Sequence, residues 1–334
     1  MQVKNYYRLI SLGLLLTSVA GIRAQDTPEL SFFQPADTLN KQRFWTVVGA
    51  GSAAYAGSAA FLFNAWYKDY PISGFRFFDD RGEWENMDKM GHAFSAYNGA
   101  LISYRTARWT GVRHGPATWA GIIGGSALQL TIEVMDGFSA GWGFSTADVA
   151  YNTIGVGIFA GQEWLWKEQR IYLKYSYNRP DYPDLTLTSR SSNQTATLAE
   201  WTNALYGSSL PVQMLKDYNG QTLWASINLA SFLDPKERSG FPRWLNLAVG
   251  YGVDNVFGAY GNSWRKNGVG YSLPVAEFPR YRQLYLSVDI DWSHIKTRKW
   301  WLRALLQTAN VIKIPAPTVE FNTLGQTKFY PFKH

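Results

Sequence analysis

Long apolar stretches alternate with short charged connectors in the first half of the chain. Residues 44–67 run for 24 positions without a charged side chain, and residues 87–109, 116–135 and 146–166 have the apolar spacing of helices. All four stretches contain many small residues, a composition that lets helix backbones approach closely. We therefore predict a membrane-associated unit of four helices over residues 43–168.

The stretch 44–67 has two interpretations. It is long enough for a transmembrane helix, since a span needs about 20 apolar residues. Its small residues lower its mean hydropathy, so a buried helix in a water-soluble bundle is the alternative. We prefer membrane contact.

After residue 169 the pattern changes to a period of two. Ile171, Leu173 and Tyr175 alternate with Tyr172 and Lys174, and residues 223–229, 245–254 and 284–292 alternate in the same way. The dipeptide Asn219-Gly220 predicts a tight turn. Further segments are a short helix at 300–311 and closing strands at 318–321 and 328–332. The predicted fold class is α+β, in which residues 169–334 form an antiparallel β-sheet or partial β-barrel with one short helix.

The amino terminus has the order of features of a secretory signal. Lys4 and Arg8 precede an apolar run, which ends at the small residue Ala24 before a polar stretch. We expect a signal peptide over residues 1–24 and a polar segment over 25–42. The mature protein is therefore predicted to be exported to the periplasm or the outer membrane, with the inner membrane as the alternative.

Composition narrows the classes of partner. The 32 Lys and Arg against 25 Asp and Glu include Lys4, Arg8 and Arg23 of the predicted signal, so the mature balance is 29 against 25, or +4. This charge gives little support to nucleic-acid binding. The 16% aromatic and 17% charged residues favour membrane lipid as a partner, and a protein partner stays open. The absence of Cys excludes disulfides, thiolate metal sites and a lipid-modified Cys.

Polar side chains recur beside the uncharged stretches of the predicted helices. A charge inside an apolar bundle is unfavourable by roughly several kcal/mol unless it is paired, so such residues are rare and usually have a purpose. We predict that these side chains meet at one interior point when the helices dock. The predicted cluster is Asp88, Lys89, His92, Glu133, Asp136, Ser145, Asp148 and Asn152.

Two roles are open for this cluster. It can be a hydrogen-bond and ion-pair network that fixes helix packing, or it can line a polar binding site. If the site is catalytic, the candidates are His92, Glu133 and Asp136, because an imidazole with carboxylates can transfer protons. No metal site is assigned, although one His with several carboxylates could hold a divalent cation. The cofactor is left unknown.

Several members also have ordinary structural explanations. Ser145-x-x-Asp148 fits a helix capping box, and Asp88 in a first turn offsets the helix dipole. Lys89 is explained equally well as a solvated charge. Three other histidines are expected to be incidental: His114, His294 and His334.

Motifs distributed along the chain carry a family resemblance. They are Phe77-Phe-Asp-Asp80, Met87-Asp-Lys-x-Gly-His92, Glu133-x-x-Asp-Gly-Phe-Ser139, Trp142-Gly-x-Ser145-x-x-Asp148 and Asn152-x-x-Gly155. Through them the chain resembles the YfiM-like family of predicted periplasmic lipoproteins of unknown function, in its long Bacteroidetes-type form. The helical part is also faintly similar to VanZ-like membrane proteins. The chain departs from the lipoprotein description because it has no Cys.

These observations favour a non-enzymatic envelope protein with a structural, lipid-binding or partner-binding role. One alternative is a membrane-embedded enzyme that acts on an envelope lipid or glycan precursor through the His/Asp/Glu cluster. Another is a small-solute pore in the outer membrane. Convergence of His92, Glu133 and Asp148 around an open pocket would favour the enzyme, whereas mutual satisfaction without a cavity would favour a scaffold.

Overall fold

A computed structural model describes residues 32–68, 70–189, 192–234 and 240–333. The predicted signal peptide, the first part of the polar segment and His334 lie outside these residues. For Ala65 and Trp66 only the backbone is described.

Four long helices form the helical unit. They are α1 (Lys41–Leu62), α2 (Met87–Trp109), α3 (His114–Gly137) and α4 (Thr146–Leu165), and a π-helical turn, Phe63–Tyr67, extends α1. Glycines bring the backbones of the last three together. A Cβ atom at Gly125 of α3 would lie 2.5 Å from the Ala96 carbonyl oxygen of α2, and one at Gly155 of α4 would lie 2.1 Å from that of Ala93. The small residues of the sequence therefore serve close helix packing.

None of the described helices combines the length and apolar character that a membrane crossing requires. This includes α1, which covers most of the stretch 44–67, so the predicted transmembrane helix is not supported.

Within the described residues, ten strands follow these four helices. Six form one sheet in the order β1 (Ile171–Tyr177), β4 (Gln221–Asn228), β5 (Leu245–Asp254), β8 (Tyr281–Ile290), β9 (Ala316–Asn322) and β10 (Thr327–Lys333), and each neighbouring pair is antiparallel. Two small hairpins are β2 (Thr186–Thr188) with β3 (Thr195–Thr197), and β6 (Ser263–Lys266) with β7 (Val269–Ser272). The α+β class and the antiparallel sheet are confirmed. The sheet is open, with β1 and β10 as its edges.

The six-stranded sheet has reversed polarity. On its buried face Lys174 Nζ lies 2.7 Å from Asp289 Oδ2, and both side chains are 0% exposed. Ser226 Oγ donates to the same carboxylate oxygen at 2.7 Å. The opposite face is apolar yet exposed, with Leu284 and Leu286 both open to the surroundings. Charged groups are therefore enclosed and aliphatic groups are not.

Three helices accompany the strands, where the sequence predicts one. They are α5 (Leu198–Tyr206), α6 (Leu210–Lys216) and α7 (Trp300–Ala309). The helix predicted at 300–311 is confirmed as α7, but the prediction that it is the only one is wrong, and α5 shows why. Thr197 accepts a hydrogen bond from the Glu200 amide, and the Glu200 carboxylate accepts one from the Thr197 amide. This capping box starts a helix directly after strand β3, a local signal that the sequence prediction does not use.

The helical unit and the sheet share a core. Met87 at the start of α2 packs with Leu223 of β4 and Val253 of β5. Nearby, the Glu85 carboxylate accepts hydrogen bonds from Arg280 at 3.2 Å and Arg282 at 3.0 Å. These contacts hold the first turns of α2 against the sheet.

Candidate functional site

Seven of the eight predicted residues assemble at the centre of the helical unit, together with Asp80, while Asp136 lies beside them. Asp80 comes from the connector before α2, Glu133 from the last turns of α3, and Ser145 caps the start of α4. The remaining members lie on the first turns of two helices: Asp88, Lys89 and His92 on α2, and Asp148 and Asn152 on α4. The i, i+4 spacing within each of those two helices turns their side chains to one face.

Lys89 is the central cation of this cluster. Its Nζ lies 2.6 Å from Asp80 Oδ2, 2.7 Å from Asp148 Oδ1 and 3.1 Å from Asp88 Oδ2, and its side chain is 1% exposed. Its explanation as a solvated charge is therefore wrong. Burial opposes the charging of Lys89, but the carboxylates, with Asp88 and Asp148 foremost, outweigh it and raise the Lys89 pKa above its usual value.

His92 lies beside the lysine and is only partly enclosed. Its Nδ1 is 3.2 Å from the amide oxygen of Asn152, and because that oxygen can only accept, Nδ1 carries the proton and donates it. Its Nε2 lies 3.9 Å from Asp88 Oδ2 and 3.7 Å from Asp148 Oδ1, beyond hydrogen-bond distance. This side of the ring is free to contact a ligand.

The protonation of His92 reflects two opposing effects. Burial disfavours its charged form, while the carboxylates of Asp88, Asp148 and Glu133 favour that form and raise the His92 pKa above 6.5. The imidazole is therefore charged over a wider pH range than in the unfolded chain.

Glu133 is the most deeply buried of the cluster's acids that contact Lys89 or His92. Its side chain is 1% exposed, and Oε2 accepts a hydrogen bond from the Ser145 amide at 3.3 Å. Its Oε1 has no hydrogen-bond partner among the described residues and points towards His92 Nδ1, 3.6 Å away. Burial, with a smaller contribution from Asp148 and Asp136, raises the Glu133 pKa to about 8. At neutral pH this carboxyl holds its proton.

Ser145 connects the cap of α4 to the ion cluster. Its Oγ accepts from the Asp148 amide at 3.0 Å, as a capping residue does, and donates to Asp80 Oδ1 at 2.6 Å. The reciprocal half of the predicted capping box is absent from this part of the described chain, because the Asp148 carboxylate contacts Lys89 and the Ser145 amide donates to Glu133. The two groups that would form this half of the box instead bind other members of the cluster.

The pKa values of Asp148 and Asp80 shift in opposite directions. Burial raises the Asp148 pKa to about 6. Burial also acts on Asp80, but its hydrogen bonds with Asp148, Lys89 and Ser145 prevail and lower the Asp80 pKa. Asp88 likewise has a lowered pKa, because His92 and Lys89 outweigh its burial.

Asp136 lies apart from the lysine. Its Oδ1 accepts a hydrogen bond from the Tyr67 hydroxyl at 2.8 Å, and burial raises its pKa to about 7. It joins the cluster through charge, since the nearby Asp88 and Asp148 also raise that pKa. Asp136 is therefore a neighbour of the ion network and has no ion pair in it.

The cluster opens into a cleft of about 1250 Å³ between the helical unit, α6 and β1. Asp88, His92, Asp136 and Asp148 form part of its wall. Much of the remaining wall is apolar or aromatic, including Leu62, Tyr70, Trp84, Trp142, Met214 and Leu215. A polar cluster at one side of a largely apolar concavity is the usual form of a small-molecule site.

A cation other than a proton could also occupy the cluster. Asp88, His92 and Asp148 each offer one possible ligand atom, a carboxylate oxygen or an imidazole nitrogen. These three atoms lie within 4.8 Å of one another. The Lys89 ammonium, however, already contacts the carboxylates of Asp88 and Asp148. A metal ion would have to displace this built-in cation, so the arrangement does not single out a metal.

Two site residues are not among the predicted ones. Asp80 stands in the motif Phe77-Phe-Asp-Asp80, but that motif does not indicate that it pairs with Lys89. Tyr218, in the turn before β4, donates its hydroxyl proton to Asp88 Oδ1 at 2.8 Å. No spacing rule relates a residue 130 positions away to α2, so sequence patterns could not identify Tyr218.

The histidines expected to be incidental lie elsewhere. His114 contacts Glu163 at 3.0 Å, and His294 contacts Asp291 at 2.9 Å. Neither lines the cleft of the cluster.

The cluster lies in the part of the chain that matches a known protein family. Residues 76–160, about a quarter of the chain, match the family model described as predicted periplasmic lipoprotein (DUF2279). The segment contains every residue of the predicted cluster. No curated protein and no solved structure matches the chain.

The family description confirms the predicted location, that of an exported protein of the periplasm or outer membrane. It supports the general resemblance to predicted periplasmic lipoproteins, while the YfiM-like and VanZ-like similarities are not confirmed. The description names no activity.

Proposed function

We propose that this protein is a non-enzymatic envelope protein that binds an amphiphilic molecule in the cleft beside Lys89 and His92. The observation that carries the proposal is the opening of an ion cluster into a large cleft with apolar walls. The ion cluster would contact the head group of the ligand, and the apolar walls its chain.

The charge of the cluster indicates the kind of head group. Five carboxyl groups surround two cationic side chains. Even with Glu133 protonated and Asp136 titrating near pH 7, the carboxylates of Asp80, Asp88 and Asp148 outnumber those two cations. The carboxyl groups are Asp80, Asp88, Glu133, Asp136 and Asp148. Such a surface favours a head group that is cationic or rich in hydroxyl donors, and disfavours phosphate or sulfate.

A scaffold role explains the cluster less completely. Lys89 is fully satisfied by its three carboxylates, as a packing network requires. His92 Nε2 and Glu133 Oε1 are left without hydrogen bonds within the described chain, and the former lies at the cleft wall. Unused polar atoms beside a cavity support ligand binding over packing alone.

Calorimetric titration with single-chain probes tests the proposal. Dodecylamine, dodecanol and dodecyl sulfate share one apolar chain and differ in head group. We expect dodecylamine to bind most tightly, and Asp88→Asn to weaken that binding by about tenfold, since a charge-assisted contact is lost. Asp79→Asn serves as the control, because Asp79 is exposed and pairs only with Arg81. Tighter binding of dodecyl sulfate, or equal loss in both variants, would contradict the proposal.

An acid–base enzyme is the second candidate. It is favoured by the proximity of Glu133, whose pKa is raised to about 8, and His92, whose Nδ1 lies 3.6 Å from Oε1 at the edge of the cleft. Groups that titrate near neutral pH are suited to proton transfer. A His92→Gln variant would support this candidate if it keeps the thermal stability of the wild type but its cells show an envelope defect. Parallel loss of stability and phenotype would support packing.

A further inference from the structure

Helix α7 presents an apolar surface on its outer side. Trp301, Leu305 and Thr308 follow each other at spacings of four and three, so they share one face of the helix. Trp301 is 50% and Leu305 is 56% exposed. No residue of α7 is buried, and nothing in the described chain covers this face.

Basic side chains surround the same surface. Lys296, Arg298 and Lys299 are exposed immediately before the helix, and Arg303 follows within it. The chain has no acidic residue between Asp291 and Glu320. The segment therefore carries a positive charge that no acidic residue of the same segment offsets, and this charge complements an anionic partner.

The aromatic and basic groups belong to one patch. The Arg303 guanidinium carbon lies 4.4 Å from the centre of the Trp300 ring, and Lys299 Nζ lies 5.9 Å from that of Trp301. Trp and basic residues placed together are typical of segments at a membrane–water interface, where the ring meets the head-group region and the cation meets phosphate.

The helix is held firmly enough to act as a platform. Arg105 of α2 donates to the Gln307 carbonyl oxygen at 3.1 Å, and the Trp292 amide donates to Asn310 Oδ1 at 3.0 Å. The patch is thus fixed relative to the helical unit.

We propose that α7 is an interfacial helix that binds an anionic phospholipid surface. Trp301 and Leu305 enter the head-group region, while Lys296, Arg298, Lys299 and Arg303 contact lipid phosphates. The proposal is independent of the ligand in the cleft, because it concerns the outer face of a different element.

Vesicle flotation with the full chain tests this inference. We expect binding to vesicles of phosphatidylcholine with about 30% phosphatidylglycerol, weak binding to pure phosphatidylcholine, and loss of binding at about 0.5 M salt. Lys299→Glu should weaken binding by about tenfold, and Trp301→Ser should also reduce it. Arg265→Glu is the matched charge reversal, at an exposed position on the β6–β7 hairpin.

Several results would overturn the inference. One is equal binding by Lys299→Glu, Trp301→Ser and the Arg265→Glu control. Another is a dimer in solution that Trp301→Ser dissociates without any change in flotation, since the face would then bind a second copy. Circular dichroism verifies that each variant is folded. We expect all of them to fold, because the substituted side chains are exposed.

Discussion

Lys89 shows how one buried ammonium organises three segments of the chain. It contacts carboxylates from the connector before α2, from α2 itself and from α4, while Ser145 links two of those acids. A buried charge is tolerated when its partners neutralise it and satisfy its donors. Lys89 meets both conditions, so the cluster depends on it more than on any single acid.

Replacing Lys89 with Met should therefore destabilise the protein strongly. The change leaves three carboxylates together without their cation, and losing one partner of a buried ion pair lowers the free energy of unfolding by about 3–5 kcal/mol. Urea denaturation monitored by circular dichroism measures the loss.

Arg81→Met provides the comparison for that variant. Arg81 also pairs with an aspartate, Asp79, but both side chains are exposed, so the expected loss is below about 1 kcal/mol. Similar losses in the two variants would show that the burial of Lys89 has no energetic consequence.

The acids around His92 predict a pH dependence of stability. Glu133 has a pKa raised from 4.5 to about 8, so the folded protein binds its proton more tightly than the unfolded chain does. Its contribution is complete below pH 4.5 and is lost as pH rises towards 8, with a slope of up to about 1.4 kcal/mol per pH unit for one proton. His92, Asp136 and Asp148 contribute in the same direction, since their pKa values are also raised.

Glu133→Gln isolates that residue. The amide imitates the protonated acid, so the free energy of unfolding should fall less between pH 5 and 8 than in the wild type. Urea denaturation at intervals of one pH unit provides the measurement. An unchanged slope in the variant would assign the pH dependence to the other groups.

At the scale of residues, the sequence predicted the membership of the cluster better than its geometry. His92 and Glu133 stand out because each adjoins an uncharged run. Lys89 is ambiguous, because a lysine in a first helical turn is usually solvated. The motif that contains Asp80 and the sequence around Tyr218 do not indicate which residues these two contact, so only the fold could place them beside Asp88 and Lys89.

At the scale of elements, the small residues of the helices are contact points. α2 approaches α3 and α4 where glycine leaves no side chain between the backbones. Not all glycines serve this purpose, however. Gly157 of α4 has no atom within 4 Å of the position that a Cβ would occupy.

Two alanine substitutions in α4 should therefore have opposite effects. Gly155→Ala places a methyl group 2.1 Å from the Ala93 carbonyl oxygen and should lower the free energy of unfolding by about 1–3 kcal/mol. Gly157→Ala meets open space and should raise it by about 0.5–1 kcal/mol through helix propensity. Thermal unfolding of both variants under one condition measures the difference. Equal shifts would mean that α2 and α4 can separate freely.

Helix positions were predictable because apolar runs and their charged ends are local signals, and α2 (Met87–Trp109) agrees with its predicted bounds at both ends. The transmembrane prediction failed for a related reason. Half of the residues of α1 are Gly, Ala or Ser, which lack charge but supply little apolar surface. The uncharged length of this stretch favours a span, but its small residues keep the mean hydropathy below what a span requires.

At the scale of the whole molecule, the helical unit and the sheet depend on each other. Met87 is fully enclosed by residues of both, so the start of α2 is part of the core of the sheet. We therefore expect the two parts to unfold together.

Met87→Ala tests this coupling. The cavity should lower the free energy of unfolding by about 2–5 kcal/mol. Hydrogen exchange should show similar losses of protection in peptides from α4 and from β5, since the apolar core around Met87 joins both units. Val275→Ala, at a 79% exposed position, controls for the loss of a side chain. Loss confined to α4 would show that the units unfold separately.

The reversed polarity of the sheet has a consequence for strand register. Side chains alternate along a strand. A shift of one residue between β4 and β5 would therefore turn Val249 inwards and expose polar residues that are now enclosed, such as Asn246. In water the hydrophobic effect stabilises that shifted pairing, because it buries the aliphatic side chains. The Lys174–Asp289 contact opposes it, since it forms only when β1 and β8 present those residues to the same side. Synthesis in an aqueous medium should therefore accumulate mispaired strands, and an amphiphile added before pairing begins should raise the yield of correctly registered chains.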